Sequence, residues 1–276
     1  MIITFAHYKG GTGKTTSCLS IAGWLVRYGK KVLVIDLDPQ GNATSGLGVD
    51  KKTLDKTMYD VMKHPTKSGL IKGIIVESSI KNLHLAPSNH QLDLINLKAY
   101  KNQSDAKIII KGIEKIKDYY DFILIDTPPV HSHFIINGLA AADKVFVVLD
   151  PGIFALEGLS TLKESFGEFF NKLGLKLNID GALITKVPKR TFFSVFKKNH
   201  SLEIKKEVES LIDKKAFLIP YSDDIFETHR VGRPISHLKP SSKVAKSYRT
   251  IARNLIEEDR KIKEIENQIK MFGIKK

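Results

Sequence analysis

Seven short apolar runs punctuate the first 220 residues, at 2–7, 31–36, 83–87, 122–126, 145–149, 179–185 and 216–219. Most are unbroken stretches of Val, Ile, Leu and Phe. A strand with one wet face alternates apolar and polar positions, whereas a strand covered on both faces does not. The runs therefore predict a parallel sheet buried on both sides. Between them lie longer stretches that read as helix, at 14–28, 104–119, 156–173, 201–214 and 241–271. This alternation predicts an α/β fold: a doubly wound, mostly parallel twisted β-sheet flanked by helices. Its crossovers are expected to be right-handed and its ligands to bind at the carboxyl ends of the strands. No internal repeat or low-complexity linker interrupts the pattern. We expect one domain over 1–256, with a charged helix or tail at 257–276 that belongs to it or is appended to it.

Composition narrows the class. The 276 residues suffice for one large α/β domain and are short for two. No apolar run reaches the length of a membrane-spanning helix, and the start, MIITFAHY, lacks the form of a signal peptide. The single cysteine, Cys18, excludes an intrachain disulfide and a Cys-rich metal cage within one subunit. A cytoplasmic location is expected. The charge changes the picture most. There are 44 basic against 30 acidic residues, a net charge of +14, which favours a polyanionic partner such as nucleic acid or an anionic membrane.

Residues 8–16, YKGGTGKTT, follow the first apolar run and open the first helix. Glycines let backbone N–H groups curl around phosphate oxygens with no Cβ in the way, and a helix N-terminus adds a positive dipole end. Gly10, Gly11, Thr12, Gly13, Lys14, Thr15 and Thr16 are therefore the candidate phosphate cradle. Lys14 can reach β- and γ-phosphates, and Thr15 can place its hydroxyl on Mg²⁺. Tyr8 stands where the common P-loop has its first glycine, and a second lysine, Lys9, follows it. Two further runs end in carboxylates. VLVIDLDPQGNATSGLG (32–48) presents Asp36 and Asp38 at a strand end, and Gly41, Gly46 and Gly48 predict a mobile segment after them. FILIDTPP (122–129) ends in Asp126, as in a Walker B motif, with a carboxylate suited to Mg²⁺.

The loop resembles the deviant Walker A box, K-G-G-x-G-K-T, of the P-loop ATPases that include the ParA partition proteins, the MinD division regulators and the nitrogenase iron proteins. The resemblance implies ATP and Mg²⁺ as cofactors and a slow, Mg²⁺-dependent ATPase. It implies that Lys9 reaches across a dimer interface, so that two subunits sandwich two ATP molecules. A cation from the other subunit neutralises phosphate charge, so ATP holds the homodimer and hydrolysis releases it. The stretch D-x-D-P-Q-G-N-A-T resembles the first switch of the ParA family. By that resemblance Asp38 orients the attacking water, Asp36 supports the Mg²⁺ shell and Asn42 lies near the γ-phosphate. Lys9, Lys14 and Asp38 are the catalytic candidates; Thr15, Asp36 and Asp126 are the metal candidates. Lys186 and Pro220 lie where the family contacts adenine.

Nitrogenase-type proteins need paired cysteines for a cluster, and Cys18 stands alone. LDPQGNATSGLG (37–48), LAPSNHQLDL (85–94), IFALEGLSTL (153–162) and GRPISHLKPSSKVAKSYRTIARNL (232–255) resemble ParA of the Soj type rather than MinD. This implies DNA segregation, of a plasmid or a chromosome. An ATP-bound dimer would bind non-specific double-stranded DNA on the nucleoid, and a ParB-like centromere-binding partner would stimulate hydrolysis. The stretch 186–206 holds seven basic residues and one acidic one. Lys189, Arg190, Lys197, Lys198, Lys205 and Lys206 are DNA-binding candidates, and Arg190–Thr191 matches a piece near the family's DNA surface. Their phosphate contacts would be salt-sensitive and blind to sequence. Relatives often carry basic residues just after the Ile-Pro pair; here Tyr221, Ser222, Asp223 and Asp224 follow it, so part of that surface is expected to be absent, or moved to Arg230 and Arg233.

Two other readings stand beside this one. Ile262, Ile265, Ile269 and Phe272 fall at helical spacing among lysines, and KMFGIKK resembles the membrane-targeting helix of MinD. That stripe suits lipid, a second subunit or the body of the protein, and a lipid role would make this a MinD-like positioning ATPase. The other reading is a cargo-positioning scaffold switch without DNA binding. His131 and His133 lack metal-site spacing.

Overall fold

The computed structural model describes residues 1–7, 9–64, 70–95, 105–129, 132–152, 155–172, 174–188 and 200–271. Each apolar run forms a strand, and one two-residue strand joins them. In chain order they are β1 (Ile2–Ala6), β2 (Val32–Asp36), β3 (Val76–Glu77), β4 (Leu83–Ala86), β5 (Phe122–Asp126), β6 (Lys144–Leu149), β7 (Gly181–Val187) and β8 (Ala216–Pro220). The sheet order is β3-β4-β2-β5-β1-β6-β7-β8. Every pairing is parallel except β3 with β4, where Val76 lies opposite Leu85. β3 escapes the sequence pattern because two partly exposed residues carry no periodicity.

The helices are α1 (Lys14–Arg27), α2 (Asn42–Gly46), α3 (Met58–Lys63), α4 (Ile108–Ile113), α5 (His133–Ala141), α6 (Ala155–Lys172), α7 (His200–Ile212), α8 (Asp224–Val231), α9 (Ile235–Leu238) and α10 (Lys243–Met271). The helix expected over 104–119 is instead α4 between two short 3-10 turns, 105–107 and 117–119. Three successive isoleucines and Gly112 disfavour a longer helix. Asn137 Oδ1 accepts the Ile108 and Ile109 amides at 2.9 and 3.3 Å and fixes its start. α5 went unpredicted because residues 134–139 are all buried, so no polar stripe marks it. The glycine-containing segment after β2, expected to be mobile, closes into α2, whose Ala43, Thr44 and Gly46 are buried.

Alternate residues of the strands face opposite layers. Ile3, Phe5, Val32, Val34 and Leu124 pack with α1 and α10. On the other face, Val145, Val147 and Ile184 pack with α5, α6 and α7, and Leu33, Ile35 and Ile125 with α3 and α4. α10 buries Val244, Ala245, Tyr248, Ile251, Ala252 and Leu255 at three- and four-residue spacing. Beyond residue 259 the same helix leaves the body: Ile262 is 42 % and Ile265 56 % exposed. Docking of this stripe on the body is thus not what the structure shows for these two residues.

Candidate functional site

β1 runs into the glycine loop, and the loop into α1. Gly11 and Gly13 sit at φ 74° and 94°, a left-handed conformation that costs a residue with a Cβ about 1–2 kcal/mol. Gly13 caps α1 without a side-chain hydrogen bond, so the first amides of the helix stay available to an anion. The Lys14 ammonium donates to Lys9 O at 3.1 Å and so folds back over the loop. Thr185 Oγ1 lies 2.6 Å from Thr12 O, and Lys186 Nζ donates to Gly11 O at 2.6 Å. The end of β7 thereby fixes the far side of the loop. Lys186 is itself at φ 55°, where β7 and β8 lose register.

Asp36 and Asp126 are register partners on adjacent strands, both fully buried. Asp36 Oδ2 accepts from Thr44 N at 2.8 Å and Thr44 Oγ1 at 2.7 Å, and its Oδ1 accepts from Asp38 N at 3.1 Å. That carboxylate is engaged in holding α2 and the turn after β2. Burial raises its pKa to about 6, against the pull of the Thr44 hydrogen bonds. Asp126 is different. Its Oδ2 accepts from Thr15 Oγ1 at 2.6 Å, while its buried Oδ1 has no hydrogen-bond partner among the described residues. Burial, then the Asp36 charge, push its pKa well above the usual carboxylate range. Burial also raises Asp38, whose Oδ1 accepts from Gln40 N at 2.9 Å, and Lys14 partly offsets this. Lys14 is lowered by burial, against the attraction of Asp126 and Asp38.

An unpartnered buried carboxylate oxygen beside a threonine hydroxyl fits a hard divalent cation. Thr15 and Asp126 supply better-placed donors than Asp36, which already accepts three hydrogen bonds. Among the described residues no group of three or more His, Cys, Asp or Glu side chains stands ready for a metal. Mg²⁺ takes few protein ligands and completes its shell with water and phosphate, so the two side chains of Thr15 and Asp126 suffice as its protein contacts.

A cleft of about 100 Å³ opens beside Gly13 and Thr16, lined by Lys186, Pro220, Ile225 and Tyr248. It is mostly apolar and fits a flat ring. Tyr248 and Ile225 carried no sequence signal for this place; they reach it through packing of α10 and α8. Tyr248 hydroxyl lies 3.0 Å from Ser17 Oγ, and burial pushes its pKa up to about 12. Asn42 opens α2 beside the Asp38 turn. Lys9 is held apart from Lys14: its ammonium meets Asp150 at 3.0 Å and its side chain is 52 % exposed. Asp150 is raised by burial, but the Lys9 hydrogen bond and charge outweigh that and hold it below its ordinary value.

The DNA-binding candidates are scattered. Lys189, Arg190, Lys197 and Lys198 lie outside the described residues. Lys205 and Lys206 are on α7, where Lys205 pairs with Glu209 at 3.6 Å and Lys206 is exposed. Arg230 pairs with Glu227 at 2.9 Å, and Arg233 is exposed. No helix among the described residues is long and apolar enough to cross a membrane.

A glycine loop between the first strand and its helix, faced by carboxylates at the ends of two adjacent strands, defines a P-loop nucleotide-binding protein. A family model described as an AAA domain matches residues 1–179. The chromosome-partitioning ATPase Soj of Treponema pallidum is 33 % identical over 259 residues, 93 % of this chain and 97 % of that one. Among solved structures, McdA of Cyanothece in complex with ATP superposes with a TM-score of 0.78 at 22 % identity, over 92 % of this chain and 95 % of that one. The septum site-determining protein MinD of Pyrococcus horikoshii, complexed with Mg-ADP, gives 0.70 at 24 % identity, over 92 % and 95 %. These two structures speak for the fold. The chain belongs to the Soj/ParA family of P-loop ATPases with an AAA domain.

Proposed function

We propose that this chain is an ATP-driven DNA-partition switch. The observation that carries the reading is the divergence of two lysines on one loop. Lys14 donates back to the loop, whereas Lys9 is half-exposed and pairs with Asp150. A half-exposed ion pair is worth at most about 1 kcal/mol. Lys9 can therefore leave Asp150 for the phosphates of a second subunit's ATP.

Bound Mg²⁺ would neutralise phosphate charge and bridge phosphate oxygens. Thr15 and Asp126 would hold it, with Asp36 fixing the turn that carries Asp38. The loop amides and Lys14 would hold the phosphates, Asp38 would orient the attacking water, and Asn42 would lie near the terminal phosphate. Lys186 and Pro220 would flank the base. The ATP-bound homodimer would present doubled basic surfaces to DNA, and a ParB-like partner would speed the reset. The 33 % identity to a chromosome-partitioning ATPase over nearly the whole chain supports this assignment. The domain is read as 1–256, with 257–276 as its charged extension.

The test is binding to random-sequence duplex DNA with a slow ATP analogue, with ADP and with no nucleotide, for the natural chain and Lys9→Ala. Binding only with the analogue, lost in Lys9→Ala, is the expected result. Equal binding in all three states would reduce the positive charge to a simple polycation, and no binding at moderate salt would overturn the DNA reading. A second reading rests on the exposed Ile262 and Ile265 at the end of α10. It makes this a MinD-like membrane-surface ATPase, and predicts co-sedimentation with anionic vesicles that is lost on removing residues 267–276.

A further inference from the structure

The two halves of α10 carry charge in different ways. From Lys243 to Ile256 the helix holds Lys243, Lys246, Arg249 and Arg253 and no acidic residue. From residue 257 to 264 its charges are paired: Glu257 with Lys261, Asp259 with Lys263, Glu264 with Arg260, and Glu258 with Lys144. In the first half, Lys243, Lys246 and Arg253 are exposed, and none of them pairs with a carboxylate among the described residues. Arg249 is exposed as well, but its Nε donates to the Tyr28 hydroxyl at 2.9 Å and its guanidinium lies over the Trp24 ring.

Helical geometry puts these cations in one stripe. At about 100° per residue, positions 243, 246, 249 and 253 fall within about a third of the circumference. The buried positions 244, 245, 248, 251, 252 and 255 occupy the adjoining arc. Lys243 to Arg253 spans about 15 Å at 1.5 Å per residue. This matches roughly four base-pair steps of duplex at 3.4 Å each. The stripe borders a groove of about 670 Å³ between Tyr28 and α10, to which Lys30, Arg253 and Arg260 contribute; its one acidic residue, Glu257, is already paired with Lys261.

The placement also runs against the helix's own preference. A helix N-terminus carries positive partial charge and favours acidic neighbours. The first turn of α10 has none and instead holds Lys243 and Lys246, with only Ser242 Oγ, 3.3 Å from Ala245 N, as a polar cap. A local choice that opposes stability points to a role outside folding.

We propose that the Lys243–Lys246–Arg253 stripe of α10 is a phosphate-backbone contact surface for duplex DNA. It supplements the α7 cations and replaces the positive charge that is lacking at Tyr221–Asp224. The inference rests on the DNA-binding reading above. It differs in naming a surface on the α1 side of the sheet, formed by a rigid helix.

The experiment compares the natural full-length chain with Lys243→Gln/Lys246→Gln/Arg253→Gln, and with Lys261→Gln/Lys263→Gln as a control from the paired half. Binding to random duplex is measured with the slow ATP analogue across a salt series, and ATP-dependent dimerisation is followed in parallel to report folding. Three lost contacts at about 0.9 each should lower the slope of log affinity against log salt by about 2.7. Affinity at moderate salt should fall on the order of tenfold or more, with the control nearly unchanged. If the triple variant fails to dimerise, Arg253→Gln alone should lower the slope by about 1. An unchanged slope while the natural chain binds DNA overturns this inference and leaves the partition reading standing. Failure of the natural chain to bind DNA overturns both. Loss of binding to phosphatidylserine vesicles with DNA binding intact would assign the stripe to lipid and overturn the inference.

Discussion

The carboxyl end of the central strands and the outer surface of α7 and α10 both gather charged side chains, under opposite conditions. Around the glycine loop, Lys14, Asp36, Asp38 and Asp126 are buried within mutual influence, and burial is the first cause of every shift among them. On α7 and α10 most of the cations are exposed, and salt screens each of these within about 10 Å. A buried charge is decided by its immediate neighbours and acts singly. Surface charges act as a sum, and none of them is indispensable. The same lysine side chain is therefore a different device in the two places.

The sharpest way to break that comparison is to remove one cation from each region. Lys14→Ala takes away the ammonium whose charge offsets both Asp126 and Asp38. Phosphate release should fall by on the order of 10²–10³-fold, the range seen when a preorganised electrostatic contact is deleted. Lys206→Ala, at an exposed position on α7, should change turnover by less than about twofold. Residual activity above a tenth of the natural level in Lys14→Ala would mean that the loop amides alone hold the phosphates, and the contrast between buried and exposed lysines would collapse.

A smaller effect is expected from His7, at the end of β1. The ring is 3 % exposed, and burial followed by the Lys14 charge lowers its pKa from 6.5 to about 4. A histidine depressed in the folded state binds fewer protons there than in the unfolded chain between those two values. Its contribution to stability is complete above about pH 6.5 and is lost as pH falls towards about 4, a total of about 3 kcal/mol at 1.36 kcal/mol per pKa unit. The raised Asp36, Asp38 and Asp126 tilt stability the other way across this window, so denaturant unfolding is read as the difference between the natural chain and His7→Gln. The natural chain should gain stability with rising pH relative to His7→Gln. Equal slopes for the natural chain and His7→Gln would show that His7 titrates normally.

The difference between the regions also explains what could be read from the sequence. The β1–loop–α1 unit, Asp36, Asp38 and Asp126 were legible because phosphate chemistry needs fixed residue types at short spacing on a strand end. The sheet was legible because strands buried on both faces are continuous apolar runs. α5 was not, since a helix buried all round has no polar stripe, and neither was α2, whose glycines suggested mobility before Thr44 could be seen gripping Asp36. Tyr248 and Thr185 reach the site from 100 or more residues away, and no local pattern marks such an approach. The stripe on α10 lay within a stretch quoted for its family resemblance. Its significance appeared only when the structure showed which charges were paired.

The finest test of additivity lies between two neighbours on α7. Lys205 is partly buried and lies 3.6 Å from Glu209, while Lys206 is exposed. If surface cations act as a sum, each contributes to DNA affinity according to the charge it has free. Lys206→Gln should lower the salt slope of ATP-dependent DNA binding by about 1. Lys205→Gln should lower it by less, because its charge is already shared with a carboxylate, and it should cost only a few tenths of a kcal/mol in stability as the i,i+4 pair is lost. Combining either change with Arg253→Gln should give additive slopes if the helices contact DNA through separate phosphates. A loss in the double variant greater than the sum would mean that the two helices order one another on DNA. The surface would then behave like the buried site, with each charge dependent on its neighbours.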